Sequence, residues 1–310
     1  MDEHRKTEMD RRGVLRCLGW AGAGAVWSVS GGVLSSVGLD EAVAAAPTRG
    51  FSFVQVSDSH IGFAKPANPD ARATFREAVA KIRAMPLRPD FIIHTGDVSQ
   101  LSREGEFDDA DQILAEAGIR AFHVPGEHDM LDEGGGKAFL ARYGKGSAGD
   151  GWFSFDHRGV HFVGLVNVKQ LQAGGMGRLG ADQIAWLKAD LQGKADSTPI
   201  VVFAHIPLWT VYADWGWGTD DADQATQLLR RFGSVTVLNG HIHQVAQKVE
   251  GDITFHTARS TAFPQPAPGA GPAPGPMTVP AAELRSILGV RTVEIVRGKA
   301  PIALVDQALA

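Results

Sequence analysis

Acidic and imidazole side chains follow several short apolar stretches of this sequence, at the point where each stretch ends. The clearest case is the stretch 119–124, which stops at a Pro-Gly pair and is followed by Glu127, His128 and Asp129. Two carboxylates around an imidazole suit metal binding or proton transfer better than packing. The same arrangement recurs after other apolar stretches, where the polar residues are Asp58, His60, Asp97, His205, His241 and His243.

The apolar stretches have the composition of buried β-strands, and segments with helical spacing lie between them. This alternation predicts an α/β fold with parallel strands. Open α/β sheets bind ligands beyond the carboxyl ends of their strands, so strands that end in Asp, Glu or His predict one shared site. The strands that we predict to end at this site are 51–57, 91–95, 119–124, 200–204 and 235–238.

The remaining elements complete the predicted alternation. Asp70 is placed to cap one helix, and Gly118 is placed to end the next. The Pro/Gly-rich segment 264–280 cannot form a packed core, so we predict an exposed or mobile loop. The predicted helices are 70–85, 104–117, 137–143, 183–191 and 223–232; a β-hairpin is predicted from 152–155 and 160–166, and later strands at 245–249, 253–257, 286–290 and 291–297.

The composition is that of an ordinary globular protein. The chain has 310 residues, of which 44% are hydrophobic and 21% charged, and its net charge is -5. This is enough chain for one large α/β domain or two small ones. The slight acidity provides no basic footprint for non-specific binding to nucleic acid.

The N-terminal residues 1–46 have the layout of an export signal. Arg11 and Arg12 precede an uncharged stretch rich in glycine and alanine, and small residues at 42–44 or 44–46 offer a cleavage site. The paired arginines indicate the twin-arginine machinery as a partner and a periplasmic or extracellular location. The alternative is a permanent membrane anchor, so membrane contact is expected only through this segment. Cleavage would remove Cys17, the single cysteine, and any metal would then need histidine and carboxylate ligands.

Seven nitrogen and oxygen ligands are too many for one first-row ion, but they fit two ions that share a carboxylate. Two ions about 3.5–4 Å apart stabilise the attacking and leaving oxygens of an in-line displacement and lower the pKa of bound water. Mixed imidazole and carboxylate ligands suit iron, manganese, zinc or nickel. If the segment after strand 235–238 stays extended, His241 and His243 point opposite ways and could serve different ions.

The order of these motifs resembles that of the calcineurin-like metallophosphoesterases over about residues 51–243. The resemblance implies that residues 47–310 form a four-layer α/β/β/α sandwich with a dinuclear centre. It also implies a small-molecule phosphoester substrate and a metal-bound hydroxide as the nucleophile. His128 would protonate the leaving alkoxide or steady the phosphoryl oxygens, oriented by Asp129; alternatively, Asp129 only fixes its loop. The implied ligands are Asp58, His60 and His243 for one metal, Glu127, His205 and His241 for the other, and Asp97 as the bridge.

Glu127 departs from the family pattern, which has asparagine at this position. One hypothesis is that Glu127 coordinates, binds the second metal more tightly and weakens its Lewis acidity. The rival hypothesis is that Glu127 does not coordinate and the second site is weak. An envelope protein that keeps the fold and binds metal or ligand without turnover is therefore the alternative to an enzyme. In addition, no tyrosine follows Asp97, since Val98, Ser99 and Gln100 stand there, so the tyrosinate ligand of purple acid phosphatases is not evident.

The segment 208–217 offers the best indication of the substrate, because it follows His205 and is rich in aromatic residues. These side chains could line the pocket and stack on an aromatic or apolar leaving group; the alternative is that they only cap the core. A phosphodiesterase is slightly preferred to a phosphomonoesterase. The aromatic candidates are Trp209, Tyr212, Trp215 and Trp217, whereas His94, His123, His161 and His256 are predicted to be strand residues satisfied by neighbours.

Overall fold

The computed structural model describes residues 25–30, 33–38, 50–295 and 303–310. The chain divides into two compact units, residues 1–51 with 293–305 and residues 52–292 with 306–310. In the first unit, β1 (Ala25–Ser30) pairs antiparallel with β2 (Val33–Gly38). Apart from β1 and β2, the predicted export signal lies outside the described residues, and so do Arg11 and Arg12. No helix in the described part of the chain is long and apolar enough to cross a bilayer.

A five-stranded sheet contains the strands that precede the first four predicted ligands, which are Asp58, His60, Asp97 and Glu127. Its strands are β3 (Phe51–Val56), β4 (Phe91–His94), β5 (Arg120–His123), β12 (Gly289–Ile295) and β13 (Ala303–Ala308), in the order β13-β12-β3-β4-β5. The neighbours β3, β4 and β5 run parallel. The helices that accompany this sheet are α1 (Ala71–Arg83), α2 (Glu104–Ala115) and α3 (Lys137–Tyr143).

Two predicted helix ends are confirmed. The Oδ1 atom of Asp70 accepts a hydrogen bond of 2.9 Å from the backbone N–H of Ala73, which satisfies a donor of the first turn of α1. Gly118 follows α2 with a φ of 65°, which only glycine adopts without strain.

A six-stranded sheet contains the strands that precede the other three predicted ligands, which are His205, His241 and His243. Its strands are β6 (Phe153–His157), β7 (Val160–Gly164), β8 (Ile200–Phe203), β9 (Val235–Asn239), β10 (Gln247–Glu250) and β11 (Ile253–Thr257), in the order β10-β11-β9-β8-β7-β6. The predicted hairpin is the antiparallel pair β6 and β7, and the inner strands are parallel. The helices of this half are α4 (Ala181–Leu191) and α5 (Ala222–Leu229), with short 3-10 helices at Ala173–Gly175 and Ala213–Trp215.

Alternating side chains arrange the two sheets face to face. Val54 and Ile92 point toward the helices, where they join an apolar cluster with Phe75 and Phe107. The opposite faces of the same strands carry Phe53 and Phe91, whose rings lie 5.4 and 5.3 Å from the ring of Phe162 on β7. A second cluster joins the outer face of the six-stranded sheet to α4 and α5. Period-two burial on both sheets therefore produces the expected four-layer α/β/β/α sandwich.

One predicted strand is wrong. Residues 281–287 form α6 (Ala281–Ile287), and the strand that follows begins only at Gly289. The run Ala-Ala-Glu-Leu-Arg has high helix propensity, and the buried Leu284 packs one side of this helix of about two turns. The apolar residues at 286–290 belong partly to this helix and partly to β12, so their β-like texture misled the prediction.

Candidate metal centre

The seven predicted ligands converge at the carboxyl ends of the parallel strands. Glu127 lies in the 3-10 helix Glu127–Met130, and the other six lie in the loops that leave β3, β4, β8 and β9. Their candidate ligand atoms form groups within 4.8 Å of one another, with Asp97 close to both halves. The groups are Asp58, His60 and His243; Glu127, His205 and His241; Asp58, Asp97 and His205; and His60, Asp97 and His128.

In the first group, which is Asp58, His60 and His243, imidazole nitrogens and a carboxylate oxygen lie close together. The Nε2 atom of His60 lies 3.3 Å from Nε2 of His243, which in turn lies 3.3 Å from Oδ1 of Asp58. The same atom of His60 lies 3.5 Å from Oδ2 of Asp97. Neutral imidazole nitrogens that converge with carboxylates form the donor set of a transition metal.

In the second group, the carboxylate of Glu127 lies between two imidazoles. Its Oε2 atom is 3.0 Å from Nε2 of His205, and its Oε1 atom is 2.9 Å from Nδ1 of His241. Yet Glu127 Oε2, His205 Nε2 and His241 Nδ1 are buried and have no hydrogen-bond partner of acceptable geometry among the described residues. Buried polar atoms without partners are costly, and a shared cation would satisfy all three. The residues present therefore fit a metal ion.

The backbone around the ligands is strained. Asp58, His60, Asp97, His241 and His243 all have positive φ, between 42° and 69°. Among the described non-glycine residues, only Ser102 and Arg158 share this feature. Left-handed conformations cost free energy in residues with a Cβ atom, and they persist where the surroundings enforce them, commonly at functional sites. Five of the seven predicted ligands are therefore held in a left-handed backbone conformation.

Main-chain carbonyls orient two of the imidazoles. The Nδ1 atom of His205 donates to the carbonyl of Thr95 at 2.7 Å, and Nδ1 of His243 donates to the carbonyl of Phe263 at 2.6 Å. Each bond fixes the tautomer, so that the Nε2 lone pair faces the centre. The Nε2 group of Gln265 donates to the carbonyl of His241 at 2.9 Å and supports that loop.

Sequence reasoning missed these three supports. Thr95 and Phe263 act through backbone oxygens, which carry no signature of residue type. Gln265 lies in the Pro/Gly-rich segment that we predicted as exposed or mobile, although its first residues contact the loop of His241.

Two glycines allow the loops to approach each other. A Cβ atom on Gly126 would collide with Oδ1 of Asp97, and one on Gly96 would lie 2.5 Å from Nδ1 of His205. Gly96 also has a φ of 96°. The glycines before Asp97 and Glu127 are therefore required by the close packing of the ligand loops.

The electrostatics of the centre favour bound cations. Burial alone would disfavour an imidazolium, but the carboxylates of Asp97 and Glu127 outweigh it and hold the pKa of His205 well above its ordinary value. Burial likewise opposes charge on Glu127, yet His241 and His205 hold the pKa of this carboxyl well below its usual range. Burial also lowers the pKa of His60 to about 3, which keeps its ring neutral. The site thus combines ionised carboxylates, whose negative charge a bound cation would neutralise, with a neutral imidazole whose lone pair is available for coordination.

His128 lies beside the first group and is oriented by Gln100. Its Nδ1 atom donates to the carbonyl of Gln100 at 2.7 Å, and its ring lies 4.8 Å from the ring of His60. Its backbone N–H donates to Oδ1 of Asp97 at 2.9 Å. Burial lowers the pKa of His128, but Asp97 and Glu127 raise it more, and the result is above the ordinary value. The imidazole can therefore carry a proton at the edge of the centre.

Asp129 does not bond to the ring of His128. Its Oδ1 atom accepts hydrogen bonds of 2.8 Å from the N–H and the hydroxyl of Ser99. Its Oδ2 atom accepts from the N–H groups of Val98 and Gly126. This geometry corresponds to the second interpretation of Asp129, in which it fixes the loop.

The aromatic segment after His205 divides into two pairs. Trp217 is only 1% exposed, and the ring of Trp209 packs 5.5 Å from that of Phe255 in the core of the six-stranded sheet. Tyr212 and Trp215 are half-buried and lie edge to face at 5.3 Å. Trp217 thus follows the alternative of capping the core, and Trp209 packs against the core while part of its side chain stays exposed. Tyr212 and Trp215 also keep surface that a ligand could contact.

The four strand histidines lie in strands and are buried, as predicted. His161 is satisfied on both sides, since its ring nitrogens contact the carboxylates of Asp156 and Asp190. The prediction is wrong for the other three in one respect, because each keeps a ring nitrogen without a partner among the described residues. These atoms are His94 Nδ1, His123 Nε2 and His256 Nε2.

Comparisons with known proteins agree with this fold and centre. Residues 51–245 match the model of the calcineurin-like phosphoesterases, and the chain belongs to this family. A probable cyclic nucleotide phosphodiesterase of Psychrobacter arcticus is 22% identical over 231 residues, which are 70% of this chain and 82% of the relative. A glycerophosphodiester phosphodiesterase of Enterobacter lignolyticus is 24% identical over 208 residues, which are 64% and 71% of the two chains.

A solved structure supports the same fold. The dimetal phosphatase from Danio rerio superposes with a TM-score of 0.61 at 15% identity, over 83% of this chain and 98% of that one. Together with the family membership and the clustered ligands, this defines the protein as a metal-dependent phosphoric ester hydrolase.

Proposed function

We propose that this enzyme is a phosphodiesterase that works with two transition metal ions, which are iron, manganese or zinc. Asp58, His60 and His243 would hold one ion, Glu127, His205 and His241 the other, and Asp97 would contact both. The observation that carries this proposal is the 3.0 Å approach of Glu127 Oε2 to His205 Nε2, because neither atom has a hydrogen-bond partner of acceptable geometry among the described residues. Two acceptors hold this position only with a cation between them or a proton on one of them.

The charge of the centre supports a diester as the substrate. Asp58, Asp97 and Glu127 place three carboxylates around the ligand cluster. A phosphate monoester is largely a dianion near pH 7, whereas a diester carries one negative charge. The additional carboxylate of Glu127 therefore repels a monoester more strongly than a diester. The names of the two relatives, a probable cyclic nucleotide phosphodiesterase and a glycerophosphodiester phosphodiesterase, favour the same class.

The chain's own residues would complete the reaction. When bound, the metal ions supply Lewis acidity toward the phosphoryl oxygens and make water more acidic. His128 would hold a proton on the Nε2 atom, since Nδ1 is committed to the carbonyl of Gln100. It would donate this proton to the leaving alkoxide. Asp97 fixes the loop of His128 by accepting its backbone N–H.

The proposal extends to export by the twin-arginine route, with a periplasmic or extracellular location. Arg11 and Arg12, the glycine- and alanine-rich stretch after them and the small residues at 42–46 support it. This route carries folded proteins, so the metal ions could be loaded before export.

The function is tested with two matched chromogenic esters. The purified protein is supplied with iron, manganese or zinc, and its metal content and its hydrolysis of bis(p-nitrophenyl) phosphate and p-nitrophenyl phosphate are measured. We expect about two ions per chain and a higher kcat/KM for the diester. A higher value for the monoester would make the enzyme a phosphomonoesterase. Bound metal without hydrolysis of either ester would instead support the non-catalytic envelope protein.

A further inference from the structure

A cavity of about 460 Å³ opens beside the candidate centre. Glu127 and His128 form its polar end and also belong to the candidate ligand groups, so the cavity is continuous with the candidate metal centre. The residues that line the cavity are Glu127, His128, Met130, Leu131, Gly135, Val168, Lys169 and Leu171.

The walls of the cavity are aliphatic. Val168 is 3% exposed, and Met130 packs against the same apolar cluster, so these two side chains form a fixed floor. Leu131 and Leu171 are 56% and 44% exposed and are two of the six exposed large apolar side chains among the described residues. Exposed apolar surface next to a reacting centre marks a place where ligand is bound.

The cavity offers little to a polar ligand. Apart from Glu127 and His128, Lys169 is the one charged residue among the described residues that line it. Its Nζ atom donates to the carbonyl of Gly135 at 2.7 Å and lies 3.5 Å from Oδ1 of Asp150. The charge of Lys169 is thus already engaged in holding the loop at Gly135. A nucleobase placed here would lose hydrogen bonds to water without replacement, whereas an alkyl chain loses none.

We propose that this cavity receives the leaving alcohol of the substrate and that the alcohol is aliphatic. The substrates are then phosphodiesters in which at least one ester group is an alkyl chain. This inference rests on the proposed phosphodiesterase function and names its substrate class. Met130, Leu131, Val168 and Leu171 determine the specificity, and His128 lies where the alkyl oxygen departs.

The test measures how binding depends on chain length. Methyl-, butyl- and hexylphosphonate are not hydrolysed, and their binding to the metal-loaded protein is followed by calorimetry. Burial of each methylene predicts a gain in affinity of up to about fourfold. Leu171→Gln and Leu131→Gln should flatten this dependence, so that the ratio of the affinities for hexylphosphonate and methylphosphonate falls toward one. Leu87→Gln is the control, because Leu87 is 60% exposed and lies outside the cavity.

The outcomes separate this inference from the proposed function. If affinity does not rise with chain length while bis(p-nitrophenyl) phosphate is hydrolysed, the alkyl cavity is refuted and the phosphodiesterase remains. If the dependence on chain length is present but no ester is hydrolysed, the cavity binds alkyl groups and the proposed reaction is refuted. If Leu87→Gln changes the dependence as much as Leu171→Gln, the effect is not local and the inference fails.

Discussion

The Oε1 atom of Glu127 lies 2.9 Å from Nδ1 of His241, and the other oxygen of the same carboxylate lies 3.0 Å from Nε2 of His205. Glu127 therefore spans two imidazoles that come from different strand ends, although the related family pattern has a neutral amide at this place. The position of the carboxylate favours the hypothesis that Glu127 coordinates the second metal. It also adds a negative charge to the ligand cluster that the proposed substrate would face.

Glu127→Asn should weaken the second metal and relax the preference for diesters. Removal of one ionised ligand is expected to lower the affinity of the second site by about tenfold or more, while hydrolysis of p-nitrophenyl phosphate gains relative to the diester. Metal content after dialysis and the ratio of kcat/KM for the two esters measure both effects. Glu133→Gln, a change at an exposed residue, is the matched control. Unchanged stoichiometry and rates in Glu127→Asn would rule out a coordinating role.

His128→Asn should slow the hydrolysis of alkyl esters by about 10² to 10⁴ and that of p-nitrophenyl esters much less. An alkoxide needs a proton to leave, whereas p-nitrophenolate is stable without one. The measurement is kcat for dibutyl phosphate and bis(p-nitrophenyl) phosphate with metal content checked. Glu133→Gln, a change at an exposed residue that has no contact with His128, is the control. Equal losses on both substrates in His128→Asn would argue against proton donation.

Much of the fold was predictable because its strands are short, apolar and separated by amphipathic helices. The predicted helix 137–143 and strand 253–257 coincide with the observed elements. The error at 286–290 arose because a helix of about two turns and the following strand join without a break in hydrophobicity. Hydrophobic periodicity does not separate a helix from a strand when each is only seven residues long.

The site was predictable to the level of residue types but not of their supports. Acidic and imidazole residues at strand ends stand out because burial there is costly unless it serves a ligand. The roles of Thr95 and Phe263 depend on carbonyls that tertiary folding brings to His205 and His243. Likewise, no sequence pattern distinguishes Trp217, which is buried, from Trp215, which keeps exposed surface.

Trp215→Ala and Trp217→Ala should have different consequences. Trp217 is buried, so its truncation is expected to lower the free energy of unfolding by about 3–5 kcal/mol. Trp215 is half-buried, and we expect its loss to reduce hydrolysis of 2′,3′-cyclic AMP more than that of dibutyl phosphate, because its ring can stack on the part of the substrate that is retained. Urea unfolding and kcat/KM for both substrates provide the comparison. An equal loss on the two substrates in Trp215→Ala would mean that this residue also only caps the core.

Replacement of both Arg11 and Arg12 by lysine should retain the protein in the cytoplasm of a bacterial host. The twin-arginine machinery reads the arginine pair, and lysine keeps the charge without the guanidinium group. The measurement is the amount of full-length and processed chain in cytoplasmic and periplasmic fractions. Arg5→Lys with Lys6→Arg is a control that leaves the pair intact. Normal export of the double lysine variant would exclude the twin-arginine route.

His256 should make the protein less stable in mild acid. It is buried on β11 with Nε2 unpartnered among the described residues, and burial together with the charge of Arg291 lowers its pKa to about 3. In the unfolded chain the pKa returns to about 6.5. Below that value the unfolded state takes up a proton and the native state does not, so stability is lost as the pH falls from about 6.5 toward 3.

The loss attributable to His256 approaches about 1.4 kcal/mol for each pH unit inside this window and is absent above it. His256→Gln should therefore flatten the decrease in the free energy of unfolding between pH 7 and pH 5. Urea unfolding of the metal-free protein at both pH values measures the difference, and the titration of the centre cancels between the two proteins. Parallel decreases in the wild type and in His256→Gln would show that the proton is taken up elsewhere.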